Sequence, residues 1–275
     1  MSWNSQPELS SFNLHYKLVK RLGSGGFGDV YKCISRSSGK VYAAKILERV
    51  CRLTYSEPDQ CHIPDEVIIM RELHHDSIIR YHNVFNDSGT WIILMEYLAG
   101  FEDIQQYLKR KDMKLDEVRT ASIISQLLVA LRYLTKKGID HRDIKSENIL
   151  FNPKTKQIKL IDFGCSSRIS SSPYRTLRGT ELYYPPEWFD RREFTSEAGT
   201  VWAVGVLTYI LLVGRTPFPS LADRRVYQHK INWRGITISP LGKKFIKRCL
   251  RMKSSERWSF AEMDGSKWLQ LSCFV

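Results

Sequence analysis

Three polar residues, in one loop and the strand after it, have the types and spacing needed to hold a metal ion and move a proton. Asp143 and Asn148 are five residues apart, and Asp162 follows the alternating apolar run 158–161, which predicts a strand. Two acids and an amide can supply the oxygen ligands that Mg²⁺ takes. Asp143 can also accept the proton of an attacking hydroxyl, and Lys145 can neutralise charge on a transferring phosphoryl group. In the competing interpretation, Asp143 is a solvated loop acid and Asp162 is a residue that forms a turn.

A glycine-rich run near the start of the chain predicts a second phosphate-binding element. It lies between two strand-like segments and reads Gly23-Ser24-Gly25-Gly26-Phe27-Gly28. A dinucleotide-binding fold requires a helix after such a run, and a P-loop closes with Gly-Lys-Ser or Gly-Lys-Thr, so neither applies. Glycines let the backbone approach phosphate oxygens with its N–H groups. Without further motifs, a plain glycine hairpin explains the run better.

A lysine in an otherwise apolar strand requires a buried partner. Lys45 stands in the run Val-Tyr-Ala-Ala-Lys-Ile-Leu, where an unpaired charge is costly. The later segment 64–73 has helical periodicity and begins with proline. Glu66 is the predicted partner, because Asp65 projects about a quarter-turn away and Glu72 lies far along the helix. The pair can direct the lysine at nucleotide phosphates.

The predicted elements divide the chain into a β-rich first part and a mainly helical second part, so the fold class is α+β. We expect a flexible leader over 1–13, a small N-terminal lobe over 14–95 with one helix, a hinge over 96–100 and a larger helical C-terminal lobe over 101–275. Asp116 is the predicted cap of the longest helix. Predicted strands are 16–22, 31–34, 41–47, 78–85, 90–96 and 158–161, and predicted helices are 64–73, 102–109, 117–136, 198–213, 222–229, 240–250 and 259–264.

Composition narrows the class of protein. The chain has 275 residues, 43% hydrophobic content and a net charge of +13. Its N-terminus has no basic segment followed by an apolar block, so no signal peptide is expected. The longest uncharged apolar run, 201–214, is too short to span a bilayer and predicts a core helix. The six cysteines form no C-x-x-C pair and are expected to be reduced. Lysine and arginine are scattered, which argues against a nucleic-acid site.

At least five motifs, in the order that a protein kinase requires, make the chain resemble the protein kinase family from about Leu14 to Leu269. More narrowly, it resembles the Pim family of serine/threonine kinases, partly through the length of the hinge stretch 96–103 and through Thr200, where most kinases have an acid before Val201-Trp202. The other residues that carry the resemblance are His141-Arg142-Asp143-Ile144-Lys145, Glu147-Asn148-Ile149-Leu150, Leu160-Ile161-Asp162-Phe163-Gly164 and Pro185-Pro186-Glu187-Trp188.

The resemblance implies a bilobal fold, ATP and Mg²⁺ as cofactors, and a role for each matching residue. Asp143 would be the catalytic base, Asn148 and Asp162 would hold Mg²⁺, and Lys45 with Glu66 would anchor phosphates. Lys145 points to Ser or Thr rather than Tyr as the acceptor. Met70, His141 and Phe163 would stack in the active state, and Glu187 would pair with Arg257. The ATP-binding residues would be Leu22, Gly23, Ser24, Gly25, Gly26, Phe27, Gly28, Val30, Ala43, Lys45, Met95, Glu96, Leu98, Leu150 and Ile161; Thr176 and Thr180 would belong to the activation segment, and Asp103 and Glu147 to the substrate site.

Departures from the Pim pattern change these expectations. Leu98 replaces a hinge proline, which restores a backbone N–H for the adenine. Thr176 and Arg178 replace activation-segment acids, so Arg142 lacks an obvious anion, and phosphorylated Thr176 is predicted to supply one. The alternative is a segment that needs no anion. Acids that would face basic substrates are also missing, at Gln106, Ile210 and Arg215.

The expected function is therefore an ATP- and Mg²⁺-dependent kinase that phosphorylates Ser or Thr of protein substrates, with a preference for basic sequences. One alternative is a pseudokinase that acts as a binding scaffold, although such proteins usually lack the equivalents of Lys45, Asp143 or Asp162. A basic nucleic-acid binder is the last alternative. We expect a cytoplasmic monomer, with the nucleus as a further location, and neither a membrane nor a specific nucleic acid as partner.

Overall fold

The computed structural model describes residues 10–26, 28–47, 63–87, 89–218, 231 and 233–274. The chain divides into two compact units, Met1–Ala99 and Gly100–Val275. The first holds a five-stranded sheet and the second most of the helices, so the predicted α+β class is confirmed. The predicted helix near 222–229 and the predicted ATP-binding residue Phe27 lie outside the described residues.

The sheet of the N-terminal unit is antiparallel throughout and has the strand order β1-β2-β3-β5-β4. Two of its strands match their predicted bounds. The fourth begins at Tyr81 rather than at residue 78, because Ile78 N–H donates to the carbonyl of His75 (3.0 Å) in a turn. The strands are β1 Tyr16–Gly25, β2 Gly28–Ser35, β3 Val41–Leu47, β4 Tyr81–Asp87 and β5 Thr90–Glu96; the helices of this unit are α1 Ser10–His15 and α2 Asp65–Arg71.

The prediction of a flexible leader is wrong for residues 10–13, which lie in α1. Phe12 is fully buried in a cluster with Ile92 and Leu94 and stacks on Tyr16 with ring centroids 5.2 Å apart. The carboxylate of Asp87 accepts hydrogen bonds from the first backbone N–H groups of α1. A short helix is marginal alone, so this buried aromatic and the distant acid hold it in place.

The C-terminal unit is built around α6, an apolar helix buried on nearly all sides, which confirms the predicted core helix. By length and composition alone α6 could cross a membrane, but 72% of it is buried inside the protein's own fold. The side chain of Asp116 caps α4 as predicted. The helices are α3 Ile104–Lys109, α4 Glu117–Lys136, α5 Pro186–Arg191, α6 Ser196–Val213, α7 Pro240–Cys249 and α8 Phe260–Asp264.

Short strands position the loops of the C-terminal unit. One sheet has the order β6-β8-β9, and a second consists of β7 and β10. The predicted helix 102–109 begins only at Ile104, because Glu102 and Asp103 form β6 and the Asp103 side chain caps α3 by accepting from Gln106 N–H (2.8 Å). The strands are β6 Glu102–Asp103, β7 Ile139–Asp140, β8 Ile149–Phe151, β9 Ile158–Leu160 and β10 Ser167–Arg168.

Candidate active site

Lys45 and Glu66 form the predicted ion pair. Lys45 Nζ donates to Glu66 Oε1 at 2.6 Å, and both side chains are almost fully buried. The lysine comes from β3, and the acid from the first turn of α2. A buried ammonium requires such a partner, since an unpaired charge would be strongly destabilising. The pair therefore fixes the lysine at one place on the sheet.

Four predicted ATP-binding residues share one face of that sheet. Val30 lies opposite Lys45, and Ala43 lies opposite Met95 in the antiparallel register. Residues directly opposite each other, and residues two apart in a strand, project to the same side. Ala43 and Met95 are buried. The sheet thus brings together the apolar residues and the lysine that the sequence assigned to one nucleotide.

The glycines of the run differ in what they require. A Cβ on Gly28 would lie 2.0 Å from the carbonyl oxygen of Ile46, so glycine is needed here to let β3 approach. Among the described residues, a Cβ on Gly23 or Gly26 would meet no atom within 4 Å beyond the chain neighbours. The lack of a side chain at Gly23 thus leaves room beside the backbone, as an approach to phosphate oxygens demands.

The two predicted hinge residues differ in their backbone hydrogen bonds. Glu96 N–H donates to the carbonyl of Arg80 (3.0 Å), so a ligand that bonds to the Glu96 backbone would have to use its carbonyl oxygen. Leu98 N–H makes no hydrogen bond to another residue in the described part of the chain. Leu98 thus has a backbone donor that no described residue uses, whereas a proline there would have none.

In the C-terminal unit, the carboxylate of Asp143 is the centre of a dense polar cluster. It accepts from Thr180 N–H (2.9 Å), from the Asn148 amide (2.9 Å) and from Lys145 Nζ (2.8 Å), and Lys145 also donates to Thr180 Oγ1 (2.7 Å). Asp143 is 6% exposed. Burial acts to lower the pKa of Lys145, but the hydrogen bond and charge of Asp143 outweigh it and raise this pKa. The lysine therefore stays charged beside the acid.

Asn148 and Asp162 are brought close by the backbone. Ile161 N–H donates to the carbonyl of Asn148 (2.9 Å), so Asp162 follows directly. The Asn148 amide nitrogen donates twice to Asp143, which leaves its side-chain oxygen for a cation. Asp162 has a left-handed backbone (φ 62°), and its Oδ1 accepts from Gly164 N–H (3.3 Å). Left-handed non-glycine residues often mark functional sites.

These two oxygen donors fit Mg²⁺, which is usually bound by one or two protein groups together with waters and substrate phosphates. Over the residues that the structure describes, no cluster of three or more His, Cys, Asp or Glu could hold a metal ion. The pair of Asn148 and Asp162 suits a cation that arrives with a phosphate.

His141 and Phe163 form an internal contact next to these residues, with ring centroids 4.9 Å apart. Burial lowers the pKa of His141, which keeps the ring neutral, and its Nε2 lies 3.0 Å from the carbonyl oxygen of Ile161. The imidazole thus ties the loop that carries Asp143 to the segment that carries Asp162.

The Arg142 guanidinium contacts the segment that carries Thr176, and among the described residues no carboxylate forms an ion pair with it. One guanidinium nitrogen donates to the carbonyl of Thr176 (2.9 Å), and the group stacks 4.1 Å from the ring of Tyr174. Burial, and then the charge of Arg178, lower the pKa of Arg142. Thr176 is an exposed residue. Two arginines close together favour an added anion in this segment.

The predicted pair of Glu187 and Arg257 is confirmed. The Arg257 guanidinium donates two hydrogen bonds to the Glu187 carboxylate, at 2.7 and 2.5 Å. It is also stacked over Trp202 at 4.9 Å. The Arg257 side chain is 1% exposed, so this is a buried structural link rather than a reacting group.

The remaining predicted residues are spread around this cluster. Leu150 lies in β8 opposite Lys159, and Asp103 lies opposite Leu150 in β6. Glu147 accepts from Ser146 Oγ (2.8 Å). Asp103 is committed to capping α3, so one of its carboxylate oxygens is already occupied.

Two features of the cluster were not found from the sequence. A Cβ on Gly179 would lie 2.3 Å from the carbonyl oxygen of Arg142, so this glycine lets the segment that carries Thr180 pack on the loop that carries Asp143. Asp140 accepts from Arg142 N–H and from Thr200. The sequence signal that could have drawn attention to Asp140 is an acid directly before His141. The structure shows that this acid lies in β7 and pairs with Ser167 of β10.

Comparisons with known proteins agree with this arrangement. The protein kinase domain family matches residues 16–269. Mouse Aurora kinase C is 33% identical over 258 residues, which cover 93% of this chain and 91% of that protein. Zebrafish serine/threonine-protein kinase pim-2 is 31% identical over 272 residues, which cover 95% of this chain and 86% of that protein. The chain therefore belongs to the protein kinase family.

Proposed function

We propose that this kinase transfers the γ-phosphoryl group of ATP to a Ser or Thr hydroxyl of a protein substrate, with Mg²⁺ bound at Asn148 and Asp162. The observation that carries the proposal is the Asp143 cluster: a buried carboxylate held by Thr180 N–H and the Asn148 amide, with Lys145 Nζ at 2.8 Å. When bound, Mg–ATP supplies the phosphoryl group and offsets its negative charge.

The side chains of this chain position the reacting groups and stabilise the charge on the transferring phosphoryl group. Asp143 accepts the hydroxyl proton while the substrate oxygen bonds to the γ-phosphorus, and the bond from that phosphorus to the β,γ-bridging oxygen breaks to release ADP. Lys145 stays charged beside Asp143 and compensates negative charge on the transferring group. Lys45, held by Glu66, contributes a positive charge toward the phosphates.

The acceptor and the substrate preference are finer parts of the proposal. Lys145 beside Asp143 favours Ser or Thr, and the zebrafish relative is described as a serine/threonine kinase. A preference for basic sequences rests on Glu147 more than on Asp103, because Asp103 caps α3.

Phosphorylation of Thr176 is the proposed source of an anion for Arg142. The exposed threonine, and the proximity of Arg142 and Arg178, support it. We expect Thr176→Ala to lower the rate on peptides at least several-fold, and removal of phosphate from wild type to do the same. Equal rates for Thr176→Ala and wild type would contradict this proposal. They would mean that the contacts of Arg142 with the Thr176 carbonyl and with Tyr174 hold the segment without an added anion.

The deciding experiment uses purified protein with Mg–ATP and arrayed peptides that differ only in a Ser, Thr or Tyr acceptor. Asp143→Asn should lower the rate by about 10²-fold or more. The matched control is Asp116→Asn, since asparagine still caps a helix. Phosphorylated peptides with wild type and the control, but not with Asp143→Asn, are the expected result. A wild type that binds nucleotide but phosphorylates no peptide and not itself would point to the scaffold alternative.

A further inference from the structure

Asp140 is a buried acid that has none of the proposed catalytic roles. It lies in β7 directly before His141 and is 6% exposed. No residue in the described part of the chain forms an ion pair with it. A buried carboxylate is costly unless hydrogen-bond donors reach it. Hydrogen-bond donors must therefore hold the Asp140 carboxylate, and the carboxylate in turn fixes the positions of these donors.

Two donors among the described residues reach the same oxygen of Asp140. Arg142 N–H donates to Asp140 Oδ1 at 3.2 Å, and Thr200 Oγ1 donates to it at 3.3 Å. Thr200 is buried on the core helix α6. The acid thus connects the backbone of the catalytic loop to the most buried helix of the C-terminal unit.

The donor N–H belongs to a residue with an unfavourable backbone conformation. Arg142 has φ 63°, in the left-handed region that non-glycine residues enter only when the surroundings hold them there. The next residue is Asp143, the proposed base. The direction in which Asp143 leaves Arg142 therefore depends on what keeps Arg142 in this conformation.

Side-chain packing around the link is incomplete. A cavity of about 30 Å³ is bordered by Asp140, Arg142 and Thr200, and a second of about 10 Å³ is bordered by Asp140 and Thr200. Close packing normally holds interior groups in place. Because open space borders the link, its hydrogen bonds to Asp140 contribute to placing the loop.

We propose that Asp140 and Thr200 are positioning residues, which hold the Arg142 backbone and so aim Asp143 at the substrate hydroxyl. The inference rests on the proposed function, in which Asp143 accepts the proton. Neither residue touches the reacting atoms in this proposal; both act through the loop.

The kinetic test compares Asp140→Ala, Asp140→Asn and Thr200→Val with wild type on a peptide phosphorylated by wild type. A misplaced base costs on the order of 10²-fold, so Asp140→Ala should lower kcat by about 10²-fold while KM for ATP stays near the wild-type value. Asp140→Asn should recover most of kcat, because the amide oxygen can accept both hydrogen bonds. Thr200→Val, which keeps shape and loses one donor, should lower kcat about fivefold.

Thr208→Val is the matched control, since Thr208 is also buried on α6 but its hydroxyl donates to the carbonyl of Val204 within the helix (2.7 Å). It should leave kcat unchanged. Equal kcat values for Asp140→Ala, Thr200→Val and wild type would overturn the proposal. So would an equal loss for Thr208→Val, which would indicate general weakening of α6. If Asp140→Ala does not fold, Thr200→Val decides, with Thr208→Val as its control: a kcat equal to that of wild type for Thr200→Val then overturns the proposal.

A readout without activity separates this inference from the proposed function. Hydrogen–deuterium exchange over residues 139–145 should become faster in Asp140→Ala and Thr200→Val but not in Thr208→Val, because Arg142 N–H loses its acceptor or the acceptor loses its tether. Unchanged exchange in both variants would refute the link. An inactive wild type with the expected exchange pattern would refute the proposed function alone.

Discussion

At the scale of single residues, the buried side chain of Arg257 connects several separate segments of the C-terminal unit through hydrogen bonds. Its guanidinium donates to Glu187 (2.7 and 2.5 Å) and to the backbone carbonyls of Ala198 (3.0 Å) and Arg251 (2.8 Å). Arg257→Met would leave the Glu187 carboxylate largely buried without its partner. We expect the free energy of unfolding to fall by about 3 kcal/mol, measured by urea denaturation.

The control for this change is Lys253→Met. Lys253 pairs with Glu256 at 3.6 Å on the surface, with both side chains well exposed, and such pairs often contribute nothing measurable. A fall of less than about 1 kcal/mol for Arg257→Met would mean that the pair with Glu187 is replaceable by apolar packing against Trp202.

At the scale of elements, α1 depends on one aromatic residue. Phe12 is fully buried, whereas Leu14 in the same helix is 74% exposed. Phe12→Ala should lower the free energy of unfolding by about 3 kcal/mol, because it leaves a cavity in the cluster with Ile92 and Leu94. Leu14→Ala should have almost no effect. Urea denaturation followed by circular dichroism measures both, and equal effects would contradict the docked helix.

At the scale of the whole molecule, the residues proposed to bind the nucleotide belong to both units, with Lys45 in one and Asp162 in the other. A ligand that binds only the folded state stabilises it by about 2.7 kcal/mol at a hundredfold excess over Kd. For a chain of this size Mg–ATP should therefore raise Tm by about 5 °C. Asp162→Asn should reduce this to the shift seen with ATP and a chelator, and Asp116→Asn should not. A wild-type Tm that Mg–ATP leaves unchanged would count against the nucleotide site.

The residue motifs and their order were enough to predict the protein kinase family, the α+β class and the partner of Lys45, whereas the partner of Arg257 was implied by the family resemblance. Such features depend on local chemistry: an unpaired lysine in an apolar strand demands an acid, and apolar periodicity identifies a strand or a helix. Strand bounds were predicted well for β3 and β5, each of which follows a turn.

Only the tertiary structure decided features in which residues distant in the chain compete for the same group. Phe12 resembles part of a loose leader until Asp87 and the sheet are in place around it. Asp103 resembles a free substrate acid until its cap of α3 is seen. Asp140 and Thr200 lie 60 residues apart, and no periodicity signals that one carboxylate oxygen joins them. Local patterns report what a residue needs, whereas packing determines which distant group supplies it.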